Sequence, residues 1–194
     1  MTDATRRPAA TRHALAFAAL VLAGCGGGGN PLTNPNSVDN TAGTTTRQKL
    51  SFAYFQTCVN DIITKPIKIN GTATNNTCAS SGCHDYLNGT GGAFRVIGAA
   101  IAASGAMTAD QIRATDIYKN YYSAQGEVIV GAPLQSLLLE KPLVLNVLHG
   151  GGLIFPSTND DNVKIIKYWI EHPVPAGQDE FSVPAPAPDK CLTP

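Results

Sequence analysis

The sequence predicts a mainly α-helical domain set between two segments that cannot be helical. Three observations carry this. Apolar residues recur at three- and four-residue spacing around Leu50, Ile112 and Val163, as on the buried stripe of an amphipathic helix. Prolines and glycines fall in the gaps between those stretches. The third is compositional: Gly26 to Thr46 holds almost nothing apolar, and Pro173 to Pro194 contains six prolines among hydrophilic spacers. No internal repeat interrupts the pattern.

From the N-terminus, Arg6, Arg7, Arg12 and His13 precede an apolar run from Ala14 to Ala23. This is the basic head and hydrophobic core of a secretory signal, too short to span a bilayer as a mature helix. The run ends Leu22-Ala23-Gly24-Cys25, which resembles the bacterial lipoprotein cleavage box. The resemblance implies that residues 1–24 are a signal peptide, that the mature chain begins at Cys25, and that Cys25 is lipidated. Arg6-Arg7 hints at twin-arginine export, but Pro8-Ala9-Ala10 lacks the hydrophobic residues usual there, and Sec export is favoured. Residues 25–46 read as a disordered tether.

The folded part is expected over residues 47–173. Leu50, Tyr54, Cys58 and Ile62, with Phe55, Val59 and Ile63 beside them, predict a helix from about Arg47 to Ile63, which Pro66 stops. Thr64 to Thr77 is a polar loop, and Gly89 to Gly92 is a turning point. Thr108-Ala-Asp-Gln111 has the capping-box pattern and opens a helix to about Ala124, with Ile112, Ile117 and Tyr121 inward; Gly126 ends it. Ala132-Pro133 to Glu140 is a short helix or turn ahead of Pro142. Ser157-Thr-Asn-Asp160 starts the last helix, where Val163, Ile166, Lys167 and Ile170 share a side with Trp169 next to it, until Pro173. Residues 174–194 are read as an extended proline-rich tail.

The loop after residue 64 delivers the most informative heptad, Cys78-Ala-Ser-Ser-Gly-Cys83-His84. Two thiols followed at once by an imidazole resemble a covalent c-type haem site, in which each sulfur bonds a porphyrin vinyl and the histidine ligates iron. The common form has two residues between the cysteines; here there are four. On one helix Cys78 and Cys83 would stand about 140° apart, so the segment cannot be a single unbroken helix. Ser80, Ser81 and Gly82 are turn-prone, Gly82 accepts a positive φ, and an outward loop would bring both sulfurs to one porphyrin edge. A zinc site from Cys78, Cys83 and His84 is strained, since adjacent Cys and His rarely reach one tetrahedral ion.

Cysteine usage agrees with an exported, oxidising location. Of five cysteines, Cys25 is assigned to lipid and Cys78 and Cys83 to haem, leaving Cys58 and Cys191 either to pair or to remain free thiols. Removing residues 1–24 takes away Arg6, Arg7, Arg12 and Asp3, so 14 basic against 14 acidic residues becomes 11 against 13. Without a basic patch there is no case for nucleic acid.

Beyond the heptad the order of features is similar to that in cytochrome c-like domains of exported bacterial proteins, especially the planctomycete type. The shared parts are the cysteine pair before histidine, Ser136-Leu-Leu-Leu-Glu-Lys-Pro142, His149-Gly-Gly, and a closing Trp169-Ile170. The likeness covers about residues 50–172 and implies a class I-like cytochrome c domain with helices around one haem c, iron being held proximally by His84. More typical members carry a distal methionine, a pattern from which this chain departs. The mature sequence holds one methionine, Met107, just ahead of a helix, whereas His149 follows an apolar run and precedes three glycines that leave room for a flat cofactor. His149 is the distal candidate and Met107 the alternative. His172, at a helix end, reads as a charge complement to the helix dipole.

Two functions follow. The first is a lipid-anchored c-type cytochrome of the cell envelope, facing the periplasm or on the outer membrane, passing single electrons to redox partner proteins. The second is a haem-free lipoprotein serving as a binding or scaffold module, with Cys78 and Cys83 joined as a disulfide. Paired carboxylates, a nucleophile elbow and a phosphate-cradling glycine loop are all missing from the sequence, so electron transfer is favoured over catalysis.

Overall fold

The computed structural model describes residues 48 to 192. The signal segment, Cys25 and the tether lie outside the described residues. Within them the chain is mainly helical, and none of its helices is long and apolar enough to cross a membrane.

The first helix begins later than its apolar stripe. Ser51 is the N-cap, its Oγ accepting from the Tyr54 amide at 3.1 Å, and α1 spans Phe52–Tyr54. The backbone then widens into a π-helical stretch, Phe55–Val59, before returning to α2, Asn60–Thr64. Gln48 to Ser51 is therefore not helical: a side-chain cap, rather than hydrophobic periodicity, sets the start. The widened stretch carries Cys58, which is disulfide-bonded to Cys191. On the chain-entropy account a loop of 133 residues closed in this way stabilises by about 4 to 5 kcal/mol.

A short hairpin follows inside what reads as a polar loop, β1 (Lys68–Ile69) pairing antiparallel with β2 (Thr72–Ala73). Asn70 and Gly71 turn it with φ of 50° and 82°, the left-handed values that a two-residue hairpin turn requires. The next helix is at Thr108. Its capping box is formed as the sequence predicts, Thr108 Oγ1 accepting from the Gln111 amide at 3.3 Å and Gln111 Oε1 from the Thr108 amide at 2.8 Å. The helix nevertheless divides into α3 (Ala109–Arg113) and α4 (Asp116–Gln125). Thr115 is the cause. Its hydroxyl donates to the Ile112 carbonyl at 2.6 Å and accepts from the Tyr118 amide at 3.3 Å, ending one helix while capping the next. α5 (Leu137–Glu140) is a single turn after a 3-10 turn at Pro133–Gln135, and α6 (Asp161–Glu171) is capped by Asp160. At its end the His172 ring bonds the Tyr168 carbonyl at 2.9 Å and stacks on the Tyr168 ring.

The core forms where α1 to α2, α4 and α6 meet. Phe55 packs its ring against Tyr121 and Trp169 with centroids 5.6 and 5.2 Å away. Leu50, Val59, Val96, Ile117, Leu139, Val163 and Ile170 fill the space around them. The three buried aromatics with a polar end spend it on backbone: Tyr121 Oη donates to the Leu50 carbonyl at 2.8 Å, Trp169 Nε1 to the Ser51 carbonyl at 2.9 Å, and Tyr54 Oη to the Cys191 carbonyl at 2.6 Å.

Residues 174–192 carry little regular structure beyond a 3-10 turn at Pro188–Lys190, but they are not peripheral. Val174 and Glu180 are buried, and the Phe52 amide donates to the Glu180 carbonyl at 2.9 Å. The folded unit thus extends past Pro173. The Glu180 carboxylate accepts from Lys49 Nζ at 2.8 Å, from Arg113 Nε and Nη2 at 3.1 and 3.0 Å, and from Tyr118 Oη at 2.9 Å. Burial alone would raise its pKa, but Lys49, its own backbone amide, Tyr118 and Arg113 together hold it down, from an ordinary 4.5 to about 2. Because the folded value is the lower one, the stability it contributes is complete above about 4.5 and is lost as pH falls towards 2. Urea midpoints of wild type and Glu180→Gln should accordingly differ near neutrality and converge in acid. A gap that stays constant across that range would show that the carboxylate charge contributes nothing.

Candidate functional site

The segment from Thr77 to Ile97 has no helix or paired strand, so side chains must shape it. Ser80 Oγ accepts from the Thr77 amide at 2.9 Å and Thr77 Oγ1 from the Ala79 amide at 3.0 Å. The Cys83 amide then reaches the Ser80 carbonyl at 2.8 Å, and the His84 amide closes the heptad on the Cys78 carbonyl at 2.8 Å. These are serine and threonine turns. Among the described residues the left-handed glycines are Gly71, Gly92, Gly131, Gly152 and Gly177, so Gly82 does not use the positive φ that it could accept.

After His84, Asp85 Oδ1 accepts from the Leu87 and Asn88 amides at 3.1 and 2.7 Å and turns the chain back. The returning chain lies against the motif: the Gly91 amide bonds the Cys83 carbonyl at 2.8 Å and the Val96 amide bonds the His84 carbonyl at 2.7 Å. Two polar side chains of α4 then hold this returning segment. Ser123 Oγ accepts from the Arg95 amide at 2.6 Å, and fully buried Asn120 accepts from the Ile97 amide at 2.7 Å while donating to the Ile97 carbonyl and to Asn60 Oδ1, both at 3.0 Å.

His149 arrives from the opposite side, on the loop between α5 and α6. The Gly152 amide bonds the His149 carbonyl at 2.9 Å, and Gly152 has φ of 76°. Asn70 in the hairpin brackets the loop, its amide donating to the Leu153 carbonyl at 2.7 Å and its Oδ1 accepting from the Leu153 amide at 2.9 Å. Sequence reasoning passed over Asn70 and Asn120. Asn70-Gly71 was the available signal for the hairpin; nothing local marked Asn120 as more than a polar residue on a helix.

Cys78, Cys83, His84 and His149 all line one cleft of about 380 Å³, within the range of cofactor sites. Ile63, Ile69, Phe94, Leu138, Ile154 and Phe155 supply much of its apolar wall. The two imidazoles have ring centres 6.2 Å apart and planes within 11° of parallel. Each Nδ1 meets a backbone carbonyl, His84 that of Phe94 at 3.1 Å and His149 that of Gly152 at 2.8 Å. A carbonyl only accepts, so both Nδ1 atoms carry a proton, and in the neutral ring this leaves the lone pair on Nε2, the arrangement of metal-binding histidines. Burial lowers the His84 pKa, against the Phe94 bond that raises it, and neighbouring His149, Lys141 and Arg95 lower it further. Burial also pushes the Cys78 thiol up to about 12, with Cys83 adding to the rise and a backbone hydrogen bond opposing it.

The residues fit a haem. Two imidazole nitrogens on opposite sides of one ion, each at about 2 Å, would put ring centres roughly 6 Å apart, and the ring centres of His84 and His149 are separated by 6.2 Å. Cys78 and Cys83 are unpaired thiols in the same cleft, while Cys58 and Cys191 are bonded to each other. Met107 is 40 % exposed and not among the residues lining the cleft. Among the described residues, no three His, Cys, Asp or Glu side chains gather as a metal site of their own. Comparison with known proteins adds nothing to this geometry: no family model, no curated protein and no solved structure matches the chain.

Gly91 gives the site a sensitive point, since a Cβ there would collide with the His84 ring and lie 2.9 Å from the Cys83 carbonyl. Gly91→Ala should displace His84 while leaving the helical core intact. Far-ultraviolet circular dichroism should be unchanged and the histidine ring resonances of His84 shifted; unchanged resonances would contradict the packing described.

Proposed function

We propose that the chain is an exported c-type cytochrome that passes single electrons through one covalently bound haem, its domain resembling class I cytochromes and its N-terminus anchored to a membrane of the cell envelope through lipid on Cys25. The observation that carries the reading is the convergence of two free thiols and two imidazoles, each with Nδ1 fixed and Nε2 free, on one apolar cleft. The haem would supply a one-electron iron couple. The chain's own contribution is threefold. Cys78 and Cys83 would fix the porphyrin edge, His84 and His149 would hold the iron, and the apolar wall would exclude water and so tune the potential. The partners are then other redox proteins, and no catalytic step is assigned. Neither thiol is engaged with the other, which favours this reading over a haem-free module closed by a Cys78–Cys83 disulfide.

Protein made alongside cytochrome maturation machinery should retain haem after denaturation, give the mass of chain plus one haem, and lose the adduct in the Cys78→Ser, Cys83→Ser double variant. A haem-free mass with those cysteines joined in peptide mapping would refute the proposal.

The axial pair makes a separate prediction. His149→Ala should convert a low-spin ferric spectrum to high-spin, while Met107→Leu should leave it alone. With nitrogen on both sides the potential should lie below that of a Met/His cytochrome. The reverse pattern of spectral change would transfer the distal role to Met107.

A further inference from the structure

The two imidazoles are held very differently. His84 is joined to the rest of the domain through its own amide, carbonyl and ring, which bond Cys78, Val96 and Phe94 in turn. Its ring lies 4.8 Å from that of Phe94, centre to centre, and Gly91 approaches it so closely that no side chain fits between. His149 bonds only within its own turn, through Gly152. Among the described residues, no residue outside 149–152 hydrogen-bonds to residues 146–151. Leu148 is 91 % exposed, and the loop starts from Val144 at φ of 49°, a left-handed value that a β-branched residue rarely adopts. On the far side the bracket made by Asn70 on Leu153 ties the loop down, before the Ile154 and Phe155 amides reach the Pro142 carbonyl at 2.9 and 3.2 Å.

We propose that His149 is a releasable ligand latched by Asn70, and that the chain binds a small uncharged diatomic molecule, such as carbon monoxide or nitric oxide, in the position the imidazole leaves. The inference rests on the haem reading of the cleft. Swinging out His149 breaks no hydrogen bond to the helices, because the turn moves with its own bonds intact. Ile69, Ile154, Phe155, Gly150 and Gly151 line the cleft together with His149, and its charged residues, Lys141 and Glu127, are of opposite sign, so the apolar part of the wall suits an uncharged guest. Departure of His149 also removes the imidazole that an acid-base reaction at this face would need, so binding rather than turnover of the guest is the outcome.

Stopped-flow mixing of the ferrous haem-loaded protein with carbon monoxide tests this. The observed rate should level off as carbon monoxide rises, release of His149 being limiting, and His149→Ala should bind fast with no plateau. Asn70→Gly keeps the left-handed turn without strain and removes the Oδ1 acceptor. It should raise the plateau roughly three- to tenfold, the equivalent of one lost hydrogen bond. Asn70→Asp retains the acceptor and should stay near wild type. Hydrogen exchange at the Leu153 amide should rise in the glycine variant alone, a change that does not depend on the guest. Wild-type protein with six-coordinate iron that fails to bind carbon monoxide, or a plateau indifferent to Asn70→Gly, would overturn this inference and leave the cytochrome reading standing. A chain without covalent haem would overturn both.

Discussion

The buried amide of Asn120 is the constraint on which the site depends. Between α2 and α3 the chain runs from Lys65 to Thr108 with only the hairpin of β1 and β2, two residues in each strand, for regular structure, yet this stretch carries Cys78, Cys83 and His84. Irregular backbone cannot satisfy itself, and unpaired groups under a domain cost about 1 to 3 kcal/mol each. Asn120 meets both backbone groups of Ile97 and also Asn60, so one side chain joins α4, α2 and the segment that returns beside His84. Ser123 repeats the device one turn further along. Rigid helices thereby impose their precision on a loop, through polar groups rather than apolar packing.

A second set of ties works at the other end of the same helices. The core is modest, and the tail that closes it is held by unlike means: a covalent bond at Cys191, and the Glu180 carboxylate among Lys49, Arg113 and Tyr118. A buried charge of this kind is costly to desolvate, and it is tolerable here because four donor contacts meet it. Phe181 adds an apolar element beside it, its ring 5.5 Å from Phe52 and under the Arg113 guanidinium. Proline content excludes a helix from this segment but does not exclude packing.

The helices were legible because periodicity and caps are local signals. The capping box at Thr108 sits where the sequence puts it, and the last helix begins at the end of Ser157-Thr-Asn-Asp160, with Asp160 as its cap. The break at Thr115 was not legible, since Ala114 favours helix and the apolar stripe passes through Ile112, Ile117 and Tyr121 without a gap. There a second cap competed with continued helix and won through its bond to Ile112. For the site, the heptad and His149 could be picked out by residue type, while their shared cleft depends on contacts between residues far apart in the chain. Asn70 illustrates the difference. Its turn is written in Asn70-Gly71, but its grip on Leu153, 83 positions away, is a property of the folded chain alone.

The uneven mounting of the two histidines has a consequence for how changes elsewhere are felt. His84 is coupled through Val96, Ile97 and Asn120 to the helical core, so a disturbance in the packing of α4 travels to it along a continuous line of hydrogen bonds. His149 is mounted differently. Its loop leaves α5 through the Val144 and Leu145 amides, which bond the Lys141 and Glu140 carbonyls, and is anchored again at Leu153, Ile154 and Phe155, so the stretch between hangs from its two ends and the hairpin holds one of them. Stability of the fold and accessibility of the cleft are thus set by different residues. A chain built this way can strengthen its core, through Glu180 or the Cys58–Cys191 bond, without tightening the side of the cleft where His149 stands.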